Sequence, residues 1–281
     1  MSSRDFGWAI PVMQAGYAGR ALVYFVVAGF SLWALWHGGQ AQGTDSAMSQ
    51  LESTTGGTVV LVLIFLGMVA YAVWRLVDAA YDLEAYGSDG EGIVARIGMV
   101  VTGLIHLSLG FAALTLIIGS GGSGGSSIPQ AVGVVLQWPG GRWIVGIAAL
   151  IVIASGIFYA YKGIAEKYRP HLRANEFTMN WNWILKAGLI AQGAVVGIVG
   201  LLLGYAALRA DPQQAGGVGA AFSWLSQQAY GQILVGAICV GLLCFGIFCA
   251  VNARHRIVKR AAGDDIETMA SRAKAKAQSA T

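Results

Sequence analysis

Six long apolar runs, spanning approximately 16–36, 58–80, 93–118, 142–164, 183–208 and 231–253, constrain this chain more than any other feature. Each exceeds the ~20 residues that a helix needs to cross a ~30 Å hydrocarbon layer. Pro11, Pro129, Pro139, Pro170 and Pro212 all fall between the runs, so every run can keep its backbone hydrogen bonds internal, as lipid demands. With 56% hydrophobic and 11% charged residues, too little polar surface remains for a water-exposed shell. The nine tryptophans sit at or just outside the edges of the runs, where an indole finds both hydrocarbon and hydrogen-bond partners. The expected fold is all-α, a bundle of six transmembrane helices.

The placement of charge orients the bundle. With the N-terminus in the cytoplasm, every one of the 18 lysines and arginines except Arg142 and Arg209 falls on the inner side. The positive-inside rule therefore predicts a multi-pass protein of the bacterial cytoplasmic (inner) membrane with both termini cytoplasmic. Arg4 precedes a first run without a small-residue cleavage site, so that run reads as a retained helix and not a signal peptide. The outer connections, 37–57, 119–141 and 210–230, are polar or glycine-rich, and the second contains SGGSGGSS. Each ends in a partly apolar stretch, at 48–51, 131–138 and 218–225, expected to lie along the outer interface as a short helix or, failing that, as a plain loop.

Sliding the chain along itself reveals a unit of two helices used three times. Gln14-Ala15-Gly16, Arg96-Ile97-Gly98 and Lys186-Ala187-Gly188 open the first helix of each unit, and Gly57, Gly141 and Gly231 open the second. The separations within the units are 41, 43 and 43 residues, and successive units start 82 and 90 residues apart. The chain divides accordingly into repeats at 1–90, 91–175 and 176–255 and a basic cytoplasmic tail at 256–281. An even number of spans per unit inserts all three copies with one polarity, which predicts parallel two-helix repeats in a pseudo-threefold arrangement about the membrane normal. The glycine stripes of the odd-numbered spans predict that these pack centrally, since close backbone approach replaces a hydrophobic drive in lipid.

The pattern Gly16-Tyr17-x-x-Arg20-x-x-x-Tyr24 resembles the signature of the bacterial DUF1206 family, integral membrane proteins of unknown function whose two-helix unit occurs in three copies. In the second and third units Thr102 and Gln192 replace the arginine, and His106 and Val196 the tyrosine. The resemblance covers nearly the whole chain and implies fold and membrane location.

Residues four and eight positions past each opening glycine share a helical face. Arg20, Tyr24, Thr102, His106 and Gln192 are thereby a candidate intramembrane polar cluster, open to the cytoplasm if that face meets the bundle axis. The competing readings are structural: Arg20 snorkelling to headgroups or bonding a carbonyl, His106 as a neutral imidazole bonded to a facing helix near Tyr24 or Thr102, and Thr102 and Gln192 as interhelical hydrogen-bonding groups. Tyr71, Arg75 and Asp78 follow one another at helical spacing and form a candidate inner-face latch. The latch would hold the acidic loop bearing Asp78, Asp82, Glu84, Asp89 and Glu91 against the basic loop 162–186, and the alternative is a solvated acidic turn.

Several function classes fall away. No Asp or Glu lies in the apolar interior of a span, which removes carboxylate proton relays and cation sites. No HExxH, GxSxG, Walker-A or Rossmann pattern is present, and His106 has no nucleophile, base or metal partner within reach by spacing, so no enzyme activity and no cofactor are expected. Cys239, Cys244 and Cys249 are five residues apart, a rotation of roughly 140° on a helix, and read as packing residues rather than a metal or redox site. The expected partners are the lipid bilayer, with anionic lipids at the basic loops and tail, and a membrane protein, but not nucleic acid. The sequence thus points to a non-enzymatic membrane protein acting through packing, lipid or partner contacts. The alternative is a small transporter or channel for a neutral or anionic solute along the central axis.

Overall fold

The computed structural model describes residues 6–119, 127–259 and 267–279; Arg4, most of the SGGSGGSS tract and Arg260 lie outside them. Among the described residues, six helices are long and apolar enough to cross a membrane: α1 (Ala9–Trp36), α3 (Gly57–Tyr81), α4 (Gly90–Ile117), α6 (Gly141–Ile164), α8 (Asn182–Arg209) and α10 (Gly231–His255). Short helices α2 (Thr44–Glu52), α5 (Ile128–Leu136) and α9 (Val218–Ser226) precede the second span of each repeat, as the apolar stretches predicted. Two more, α7 (Glu176–Asn180) and α11 (Met269–Gln278), lie at the opposite end, where α1 starts and α10 finishes. That end carries most of the cations and is called the basic end here; α2, α5 and α9 mark the distal end.

The opening glycines of the second spans have a shared physical reason. A Cβ at Gly57, Gly141 or Gly231 would sit 1.6, 1.9 or 2.2 Å from the carbonyl oxygen of Leu51, Val135 or Ser226, in the last turn of the preceding short helix. The residue just before is left-handed in all three cases, Gly56 at φ 80°, Gly140 at 77° and Tyr230 at 60°. One turn geometry, used three times, thus requires one glycine three times. Pro11 departs from expectation: α1 begins earlier than the apolar run, at Ala9, and the proline lies inside its first turn, where no backbone N–H is missed.

The spans pack side by side in the order α4, α3, α1, α10, α8, α6. That is the neighbour order of a six-membered ring of three repeats in which α4 and α6, at its two ends, are not closely packed on each other among the described residues. Buried side chains from both arms meet in one apolar core, which joins Val23 and Val27 of α1, Ile64 and Met68 of α3, Ala113 of α4, Val195 of α8 and Leu242 of α10. Equivalent positions make equivalent contacts. A Cβ on Gly16 would lie 2.6 Å from the Tyr71 backbone, and one on Gly188 would lie 2.5 Å from that of Phe245, whereas Gly98, the third member of the set, has nothing within 4 Å. Gly110 and Gly200 likewise meet Met68 and Ile153 of the neighbouring repeat. The odd-numbered spans therefore do not form the expected central trio. Glycine lets each of them press against an even-numbered neighbour instead.

Eight of the nine tryptophans are exposed near the span ends, but Trp74 is fully buried among Met13, Tyr17 and Leu83 near the basic end.

Candidate functional site

The site begins with a loop that folds under the bundle. Asp82 ends α3 in the left-handed region at φ 52°, and its two carboxylate oxygens accept the backbone N–H groups of Tyr86 (2.7 Å) and Gly87 (3.0 Å). The chain turns back, and Leu83 and Glu84 are fully buried as a result. The backbone N–H of Glu84 donates to Asp78 Oδ1 at 3.1 Å. The Glu84 carboxylate takes two hydrogen bonds from Arg256, with Nη2 2.6 Å from Oε2, while Arg256 Nη1 donates to Asn252 Oδ1 at 2.6 Å. Burial alone would raise the Glu84 carboxyl, but the Arg256 guanidinium holds it well below the ordinary carboxylate range. The cation that pairs with this loop is Arg256, just past the end of α10, and not one from the expected basic loop 162–186. The solvated acidic turn holds only in part: Asp78, Asp82 and Glu84 are buried, while Asp89 and Glu91 are exposed.

The chain after α10 is stitched to the loop after α6 by Ile257 N–H to His171 O, Arg173 N–H to His255 O and Met269 N–H to Leu172 O, each 2.9 Å. His171 stacks on Tyr86 with ring centroids 6.0 Å apart. Burial, reinforced by the positive field of Arg256, lowers its imidazole to about 3, so it is neutral at physiological pH.

Above this floor, Tyr71 organises the two arginines. Its phenol oxygen accepts from Arg20 Nη1 at 2.8 Å and from Arg75 Nε at 2.9 Å, and Arg75 Nη2 donates onward to Tyr17 at 3.0 Å. Arg75 also lies 3.6 Å from Asp78. Arg20 is only 4% exposed, so it does not snorkel. Its guanidinium carbon lies 4.8, 5.4 and 5.8 Å from the ring centroids of Tyr71, Phe245 and Tyr24, an aromatic cage of the kind that stabilises a cation away from water.

The remaining predicted residues divide. His106 joins the cluster, its ring 4.7 Å from that of Tyr71, and its Nδ1–H donates to Thr102 O at 2.7 Å, within its own helix. Thr102 does not join; its hydroxyl donates back to Gly98 O at 2.5 Å on a face left partly exposed. Gln192 is 8% exposed, and its Oε1 has no partner. Tyr17, Glu84, Lys162, Phe245 and Arg256 are the cluster members that spacing within the first helices missed. The second helices held the signal. Tyr71, Ser155 and Phe245 stand 14 residues past the opening glycine, Arg75, Tyr159 and Cys249 stand 18 past it, and Asp78, Lys162 and Asn252 stand 21 past it.

Charge in this end of the bundle does not balance. Asp78 pairs with Arg75 and Glu84 with Arg256, which leaves Arg20 and Lys162 without a carboxylate among the described residues. Lys162 lies within electrostatic range of Arg20, Arg75 and Arg256 as well as Glu84. Arg20 Nε is buried with no hydrogen-bond partner. The arrangement gathers cations, one with an unsatisfied buried donor, among tyrosines, with the Cys249 thiol close enough to act electrostatically on Arg20, Tyr24 and Tyr71.

The family described as Domain of Unknown Function (DUF1206) matches this chain at residues 15–82, 97–166 and 187–256. The chain belongs to the DUF1206 family. The three matched segments of this DUF1206 protein hold all six spans, apart from the opening residues of α1, α4 and α8, together with Arg20, Tyr71, Arg75, Lys162 and Arg256; Glu84 falls two residues past the first segment. A relative, the uncharacterized protein YxxB of Bacillus subtilis (strain 168), is 25% identical over 232 residues, which is 81% of this chain and 84% of the relative. No solved structure matches the DUF1206 chain.

Proposed function

We propose that this DUF1206 protein is a non-enzymatic component of the bacterial cytoplasmic membrane that works by holding lipid at the leaflet of its basic end. One observation carries the reading: α4 and α6 are not closely packed together, and Gly98 faces open space beside the cluster in which Arg20 and Tyr71 are buried, on the side where cations are in surplus. Towards the distal end, the apolar core fills the space between the arms, with Met48 and Phe222 from α2 and α9 joining Val27, Leu61 and Val235. A site open sideways to the bilayer and covered by apolar packing suits an amphiphile better than a solute crossing from face to face.

The basic end faces the cytoplasm in this reading, because 16 of the 18 lysines and arginines lie there in the sequence. Exposed Arg254, Lys259 and Lys274 add attraction for anionic headgroups, at about 1 kcal/mol per residue near the surface. The test is reconstitution into sealed proteoliposomes. The expected result is co-purifying lipid and no flux of small anions or neutral solutes above protein-free vesicles. Flux that disappears with Arg20→Gln would replace this reading by transport along the central axis.

A further inference from the structure

We propose that the open joint between α4 and α6 admits the phosphate headgroup of an anionic phospholipid from the basic-end leaflet, held by Arg20 and Lys162. This deepens the lipid-holding reading above and rests on it. The joint is a place where the fold's own symmetry leaves a partner missing. Gly16 and Gly188 press against Tyr71 and Phe245, but Gly98 faces open space, and the matching position on α6 is Ser155, which has no ring to cover it. The walls on either side are apolar and exposed: Val101 and Ile105 follow Gly98 along its face of α4, and Ile151 precedes Ser155 by one turn of α6. Acyl chains fit such walls.

The chemistry at the bottom of the joint selects the headgroup. On the α4 side His106 lies against Tyr71, the residue that binds Arg20; on the α6 side Tyr159 lies within electrostatic range of Arg20, and Lys162 is one turn nearer the basic end. The Nε–H of Arg20 is buried without an acceptor, which is costly for a cation unless an oxygen fills the place. A phosphodiester supplies an anionic oxygen for Arg20 and a second for Lys162. A zwitterionic lipid brings its own ammonium group into a neighbourhood that already carries two unpaired cations, which disfavours it.

The full-length chain, purified from membranes of mixed composition, is equilibrated with equal amounts of phosphatidylglycerol and phosphatidylethanolamine, and retained lipid is counted by native mass spectrometry. The expected preference is at least about tenfold for phosphatidylglycerol, reduced to near parity by Lys162→Gln. Gly98→Phe, which fills the joint, is expected to lower retention of both lipids. Among the described residues Lys162 has no ion pair and Gly98 no neighbour within 4 Å, so both variants keep the fold, verified by an unchanged melting temperature. Equal retention of the two lipids, unaffected by Lys162→Gln but lowered by Gly98→Phe, overturns the headgroup assignment and leaves the lipid-holding reading standing. No lipid retained by any variant overturns both. Glycerol phosphate bound as tightly as phosphatidylglycerol would make the source a soluble anion and overturn the lipid assignment.

Discussion

Single side chains at the basic end carry the tightest constraints. Glu84 and Arg256 are both buried, at 0% and 7% exposure, and removing one partner strands the other charge. Glu84→Gln is therefore expected to destabilise the protein by about 3–5 kcal/mol, read as a fall in melting temperature in detergent. The double variant Glu84→Gln with Arg256→Met should recover much of that loss, because it strands no charge. His171 gives a pH signature. Its folded value of about 3 lies below the ordinary imidazole value, so the unfolded chain binds the extra proton first, and stability is lost as pH falls from about 6.5 towards 3. His171→Gln should flatten the melting temperature over that window; an unchanged slope would contradict the assignment. Arg20, Tyr24 and His106 were legible from their spacing, because i and i+4 positions share a face. Glu84 and Arg256 were not, since 172 residues of chain separate them and only the Asp82 turn brings them together.

At the level of helices, the six spans and the one short helix before each second span followed from apolar length and from the glycines between them. What the repeat could not reveal is that its three copies are used unequally. Gly16, Gly98 and Gly188 are identical in sequence, and only their surroundings differ: the first and third press against the backbone of Tyr71 and Phe245, and the second has nothing within 4 Å. The odd spans were expected to pack together from their glycine stripes, but a glycine stripe says that a backbone comes close without saying which one. Substitution separates these cases. Gly188→Leu is expected to abolish folded yield, because its Cβ already meets Phe245 backbone at 2.5 Å, while Gly98→Ala should be neutral or stabilising by up to about 1 kcal/mol through helix propensity. Equal sensitivity at the two positions, scored by monodisperse yield and melting temperature, would mean that the middle repeat is closed like the others.

Across the whole molecule, three hairpins of one polarity make an asymmetric object. The distal half is packed with apolar side chains, and the basic half holds paired charges, two unpaired cations and an opening to the side. Membrane-impermeant thiol labelling tests the orientation proposed from charge: Ser53→Cys in the distal loop should react from the outside of intact cells, and Ser279→Cys in the tail should not. Everything said about function depends on the opening between α4 and α6. The most direct measurement is lipid contact at Gly98, using Gly98→Cys in a chain whose Cys239, Cys244 and Cys249 are replaced, labelled with bimane and reconstituted with chain-nitroxide phospholipids. The open joint predicts strong quenching, comparable to a label at lipid-facing Ile147. A label at position 98 shielded from the nitroxides like one at buried Val145 would contradict the account.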